Sequence, residues 1–327
     1  MTRVRVREHR GWDLVVLESE LAAVEIVPGK GGDVLRFRWL EPDVDVLWAS
    51  PWGLRHRGAP PTPGASADTL MDWYPGGWQV MLPNGGDEVS AYGTTWGMHG
   101  EVWTTPFDVT LLDDGAELTA RLKRAPIEMT RRFELHGGRL TITEHLLNRG
   151  RWPIEGVYGH HPAFAPGFAA GGRLTCGATD VVVDDRRVTD AGDLEVGGEG
   201  PWPHAPGRGG EVRDLRDIPT VEGPPCERMA YLTGFRDGWA EIASTTHPLT
   251  ARLRWDADLF PHAWLWTEYH ASPDFPWFGA VDAIAIEPCT GFPAQGREVI
   301  AERTGLWRLD AGEEQTTTIS LEVQEQH

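Results

Sequence analysis

The chain has 327 residues, a net charge of −19 and only three cysteines, Cys176, Cys226 and Cys289. So acidic a surface repels phosphate backbones and anionic lipid, which argues against nucleic acid and membrane as partners. The cysteines are odd in number and scattered, so they frame neither a disulfide scaffold nor a thiolate zinc site. The first twenty residues hold no apolar leader and no stretch reaches membrane-spanning length, so a soluble, cytoplasmic protein is expected.

Taken in chain order, short runs with period-two alternation recur between glycine and proline punctuation. They are "DLVVLES" (13–19), "AAVEIVP" (22–28), "DVLRFRWL" (33–40), "DVDVLWAS" (43–50), "FDVTLLDD" (107–114), "ELTARLKR" (117–124) and "RLTITEHLLN" (139–148). The second half continues with "DVVVDD" (180–185), "MAYLTGF" (229–235), "LTARLRWD" (249–256), "HAWLWTEYH" (262–270), "DAIAIEP" (282–288) and "TTTISLEV" (316–323). Many short alternating runs separated by turn signals predict an all-β protein, a large antiparallel sandwich or barrel. No long amphipathic helix, βαβ alternation or post-strand GxGxxG is present, which disfavours a doubly wound nucleotide-binding fold. Two long stretches, 55–77 and 191–210, are rich in Gly and Pro and read as loops that border a binding site. Strand signals continue on both sides of each, so the expectation is one domain, 1–327.

The segment "GVYGHHPAF" (156–164) places His160 and His161 side by side before Pro162. On a strand, neighbouring side chains point to opposite faces, so the two cannot easily hold one metal ion, and no metal site is expected. The residues alone leave a core histidine, a ligand and a catalytic acid open. If the segment is a strand, His161 faces a site and His160 faces away or toward the rim. His99 lies between glycines in "TTWGMHGEVW", before a strand-like run, and Glu287 ends the apolar run "DAIAIEP". A carboxylate there should be buried, with its pKa raised toward that of a neutral-pH general base; the alternative is a turn or capping carboxylate. The 16 tryptophans include several beside the long loops, as in "MDWYPGGWQVMLPNGGD" and "HAWLWTEYH". Ring faces next to amide and carboxylate groups suit a sugar, although most of these rings should serve the core.

Four stretches, in order, resemble the aldose 1-epimerase (galactose mutarotase-like) family: "GGWQVMLPNGGD" (76–87), "WGMHGEVW" (96–103), "GHHPAF" (159–164) and the run from "FPHAWLWTEYH" to "DAIAIEPCTGFP" (260–293). "IVPGKGGDVLRFRW" (26–39) and "GLWRLDAGEEQTTTISLEV" (305–323) are similar to the family's first and last strands, so the resemblance covers nearly the whole chain. It implies a large β-sandwich, no cofactor, and a monosaccharide as the small-molecule partner. It also implies Glu287 as general base, His161 as general acid and His99 as a second histidine near the ring oxygen. Trp78, Gln79, Asn84 and Trp266 would contact substrate, and Asp258 and Glu268 are the candidates for the family's substrate-holding aspartate. The early arginine of many members has no match; Gln79 and Asn84 occupy that region. "HGEVW" replaces the "HGfaR" of sugar-phosphate-acting relatives.

The function expected is interconversion of the α and β anomers of a free aldose by acid/base ring opening. The alternatives are a non-catalytic sugar-binding or sensing protein on the same fold, a metal-dependent hydrolase using His160, His161 and Glu287, and a carbohydrate hydrolase or lyase. The last needs a second carboxylate, for which Glu101 is the nearby candidate.

Overall fold

The structure, a computed structural model, describes residues 2–60 and 63–326. Within these residues the chain forms two large sheets whose named strand pairs are all antiparallel, one of 12 strands and one of 8. Their buried faces contribute to one continuous apolar cluster, with Phe37, Val80 and Leu265 from the first sheet meeting Ile142, Leu253 and Leu321 from the second. This is the sandwich expected from the alternating runs. Among the described residues α-helix is confined to short pieces, Ser66–Trp73, Pro166–Ala169 and Arg297–Arg303. None of the described helices is long and apolar enough to cross a membrane.

Most expected strands form with shifts of a residue or two at the ends; "RLTITEHLLN" is the strand Arg139–Asn148 without a shift. "DVDVLWAS" does not form one full strand. Only Val44–Asp45 pairs regularly, and Leu47 and Ala49 make isolated bridges to Phe164 and Gly76. The loop 55–77 contains the helix Ser66–Trp73; residues 61 and 62 lie outside those described.

The centre of the first sheet positions the site. Its strands run side by side in the order Trp78–Met81, Gly159–Phe164, Asp282–Cys289, His262–Tyr269 and Cys226–Thr233. Alternation sends Val80, Ile286 and Leu265 into the core between the sheets. The other face of the same strands carries His161, Glu287, Trp264 and Trp266, and the loops fold over that face.

Candidate active site

Strand pairing brings the expected acid and base together. Gly159 is opposite Cys289 and Ala163 opposite Ala285, and the same register sets His161 across from Glu287. The ladder is interrupted between these pairs, where Pro162 and Pro288 have no N–H to contribute. The result is an Nε2 of His161 3.5 Å from Oε1 of Glu287. The other ring nitrogen, Nδ1, lies 3.1 Å from the hydroxyl of Tyr74. A tyrosine hydroxyl can donate or accept, so this contact holds the imidazole in one orientation whether or not it is protonated.

His99 closes the group from above. It lies on a tight turn with φ of 60°, an uncommon conformation for a non-glycine residue, and Gly100 follows with φ of 79°. A Cβ on Gly100 would come within 2.3 Å of the Leu82 carbonyl, so only glycine allows the turn to approach the strand end this closely. The His99 N–H donates to the Gly86 carbonyl at 3.2 Å, and its ring centre lies 5.3 Å from that of His161. Its Nδ1 is buried without a hydrogen-bond partner among the described residues. A short 3-10 turn, Val102–Thr104, follows His99 where a strand was expected.

The electrostatics follow from burial. Glu287 is buried with no cation beside it, and desolvation pushes its carboxyl well above the usual carboxylate range. The same desolvation lowers His161 to about 4. His99 is lowered well below its ordinary value by burial and then by His161. Burial, then the charge of Glu287, pushes the Tyr74 hydroxyl well above its ordinary value. Burial therefore favours, for the Glu287–His161 pair, the arrangement in which both groups are neutral, the carboxyl protonated and the imidazole not.

These groups line a cavity of about 300 Å³, within the range of small-molecule sites. Trp264, Trp266 and Trp277 form much of its wall, and Trp48 packs edge-on behind Trp266 and Trp277. Arg186 and Asp87 form an ion pair at 2.7 Å, each about half exposed, at the cavity's edge.

Solved structures resemble the chain over its length. A galactose mutarotase-like protein from Clostridium acetobutylicum matches with a TM-score of 0.70 and 13% identity, covering 99% of both chains. The chain has the galactose mutarotase-like fold. A galactose mutarotase related enzyme from Lactobacillus acidophilus matches at 0.62 and 16% identity, covering 99% of this chain and 98% of that one. A protein from Escherichia coli K12 provisionally described as an aldose 1-epimerase matches at 0.60 and 16% identity, covering 99% of this chain and 100% of that one. No protein-family model and no curated protein matches the chain.

On this mutarotase-like fold the expected site residues separate into two groups. His99, His161, Glu287 and Trp266 line the cavity. Trp78, Gln79, Asn84, Glu268 and Asp258 do not. Trp78 faces the core, where its indole donates to Nδ1 of His160 at 3.2 Å. Gln79 is fully buried and bonds Asp33 at 3.0 Å, and Asp33 in turn pairs with Lys30 at 2.5 Å. The Asn84 amide ties two loop carbonyls, Asp87 at 2.8 Å and Gly97 at 3.0 Å, and so braces the His99 turn. Glu268 accepts two backbone N–H groups and the Ser272 hydroxyl, all at 2.8 Å, so its carboxylate is committed to the loop that carries Trp277. Asp258 is exposed on a turn, its N–H bonded to Asp256 at 3.0 Å. Glu101 is likewise removed from the cavity, accepting the N–H groups of Lys123 and Arg124.

His160 turns the opposite way from His161, into the core rather than toward the rim. Its Nε2 lies 3.3 Å from the carboxylate of Glu144, which accepts from Arg131 at 2.7 Å and from the Tyr158 hydroxyl. The two histidines thus belong to separate sites, which removes the geometric basis for a joint metal centre with Glu287.

Tyr74, Trp277 and Arg186 line the cavity and were not foreseen. Tyr74 had one signal: it lies in the loop 55–77, which does border the site. The loop 191–210 does not reach the cavity, but Arg186 and Val188 just before it do.

Proposed function

We propose that the chain is an aldose 1-epimerase-type isomerase that interconverts the α and β anomers of a free aldose. The observation that carries this reading is the buried Glu287–His161 pair, 3.5 Å apart on the floor of an aromatic cavity and oriented by Tyr74. Anomer exchange needs one group to take a proton from the C1 hydroxyl and another to protonate the ring oxygen. A pair that shares one proton is poised for both.

The step runs from the arrangement in which Glu287 is a carboxylate and His161 an imidazolium. Glu287 takes the C1 hydroxyl proton, His161 protonates the ring oxygen, and the C1–O5 bond breaks to leave the open aldehyde and a C5 hydroxyl. Rotation about C1–C2 presents the other carbonyl face. Ring closure returns both protons. His99, with a buried free ring nitrogen beside His161, serves the ring oxygen or a neighbouring hydroxyl. The tryptophans pack the sugar's C–H faces.

The test is NMR exchange between pure α and β anomers. Glu287→Gln keeps the shape but cannot take a proton, and should lose roughly two or more orders of magnitude in rate while still binding sugar. Near wild-type exchange by this variant would make Glu287 a structural residue. A wild type that binds sugars and exchanges none would be a sugar-binding or sensing protein.

A further inference from the structure

The polar groups of the cavity are segregated. Tyr74, His99, His161 and Glu287 gather around one point, the imidazole of His161. The charged side chains elsewhere on the wall, and the Ser272 hydroxyl, are already engaged. The Ser272 hydroxyl donates to Glu268 at 2.8 Å. Arg186 is held by Asp87 at 2.7 Å and by the Ala294 carbonyl at 2.9 Å. Most of the remaining surface is thioether and aromatic: Met71, Met98, Met229, Trp266, Phe275 and Trp277. The apolar lining continues outward, since Phe275 is 49% and Val188 70% exposed where they meet the cavity.

A sugar whose C1 and ring oxygen sit at the Glu287–His161 pair must lay its other carbons on this wall. Most hydroxyls there give up water and meet sulfur or a ring face instead of a partner, which is unfavourable. A methyl or methylene in the same place gains contact with thioether and indole. An anionic substituent finds Arg186 already neutralised by Asp87. We propose that the ligand class of this site is a deoxyhexose, a free aldose in which at least one hydroxyl remote from C1 is replaced by hydrogen. This rests on reading the site as an aldose site.

The experiment uses D-sugars in matched pairs: 6-deoxygalactose with galactose, and 6-deoxyglucose and 2-deoxyglucose with glucose. Galacturonic acid and glucose 6-phosphate are added as anionic probes. Affinity is read from tryptophan fluorescence and turnover from anomer exchange, so binding is scored even without catalysis. At least one deoxy sugar should exceed its parent by roughly 10- to 100-fold in affinity or kcat/KM, the range a pocket of this chemistry can discriminate. Met229→Gln, close in shape but able to hydrogen-bond, should narrow that preference several-fold. Parents bound as well as their deoxy forms, an anionic sugar bound best, no sugar bound, or a preference unmoved by Met229→Gln would each overturn the proposal. Deoxy preference in binding without anomer exchange would support the ligand class while refuting the isomerase reading.

Discussion

Glu144→Gln should be among the most destabilising single substitutions in the core, by about 3 kcal/mol, and two routes give that figure. Glu144 and Arg131 are both fully buried, their side chains meeting at 2.7 Å between strands of the second sheet. Arg131 also donates to the carbonyls of Gly31 and Gly32, both at 2.8 Å, so it cannot follow its partner out to solvent. Breaking one side of such a pair leaves a buried charge, an effect of roughly 3–5 kcal/mol. Independently, burial raises the Glu144 carboxyl, but His160, Arg131 and the Tyr158 hydrogen bond outweigh it and hold the group at about 2, against 4.5 when free. That difference corresponds to about 3 kcal/mol. A folded pKa below the unfolded one stabilises the protein above pH 4.5, and that stability is lost as pH falls toward 2. For 327 residues, average unfolding entropies convert the loss to a fall in Tm of about 4–5 °C. The assay is urea unfolding of both proteins from pH 7 down to pH 3. The gap between them should be widest at pH 7 and shrink to less than half by pH 3. A gap under about 0.5 kcal/mol at pH 7, or one independent of pH, would refute the charge-pair account.

His161→Asn should leave stability nearly unchanged and reduce exchange roughly 10²–10⁴-fold, whereas His160→Asn should lower stability and cost the folded protein less than about tenfold in rate; equal losses of rate would defeat the separation into two faces. The exchange rate should stay flat through neutral pH and fall on the acid side with a midpoint near His161's value of about 4, as a second proton enters the pair; an acid limb at pH 6 or above would show that His161 is not held neutral by burial. Glu268→Gln removes an acceptor from the loop that carries Phe275 and Trp277, so KM should rise several-fold with kcat little changed, and a loss confined to kcat would contradict a bracing role. Exhaustive chelation should leave exchange intact, and restoration of lost activity by a stoichiometric divalent ion would overturn the acid/base mechanism.

What the sequence made legible follows from which signals are local. Alternation exposed most strands, and the quartet His99, His161, Glu287 and Trp266 was readable because each sits in a short motif or on a strongly patterned strand. The strand Ile127–His136 alternates strictly in the structure, yet Arg131 occupies one of its inward positions and obscures the pattern. Glu144 across the sheet and the Gly31 and Gly32 carbonyls explain that arginine, and such distant partners are not written in local sequence. Gln79, Asn84 and Glu268 were identified as polar residues in the right segments, which they are. Their hydrogen bonds run to Asp33, to loop carbonyls and to Ser272 instead of into the cavity. Polarity in a site segment thus marks equally well a group that meets ligand and one that braces the loop beside it. Tyr74 illustrates the converse, since its place beside His161 depends on where a short helix ends, 87 residues away along the chain.

The dipeptide His160–His161 shows why the charged core and the site depend on each other. A strand has period two, so a slip of one residue in Gly159–Phe164 would exchange the two side chains between faces. His161 would enter the core and His160 would face Glu287. The motif itself offers little resistance, because the swapped residues are identical. Resistance must come from the neighbours on each side. On the core face, the Trp78 indole and Glu144 meet His160. On the cavity face, Tyr74 meets His161. Pro162 adds to both, since a slip would move its missing N–H against a different carbonyl of the flanking strands. A buried ionic network adds little net stability over an apolar core, but it penalises every register except one. By this reasoning the Arg131–Glu144–Tyr158 network holds the register that sets the proposed acid opposite the proposed base. Glu144→Gln should therefore lower the exchange rate of the molecules that remain folded, although Glu144, on the second sheet, meets the core side of Gly159–Phe164 and His161 lies on its cavity side. Full specific activity in the folded fraction of that variant would confine the network to stability alone.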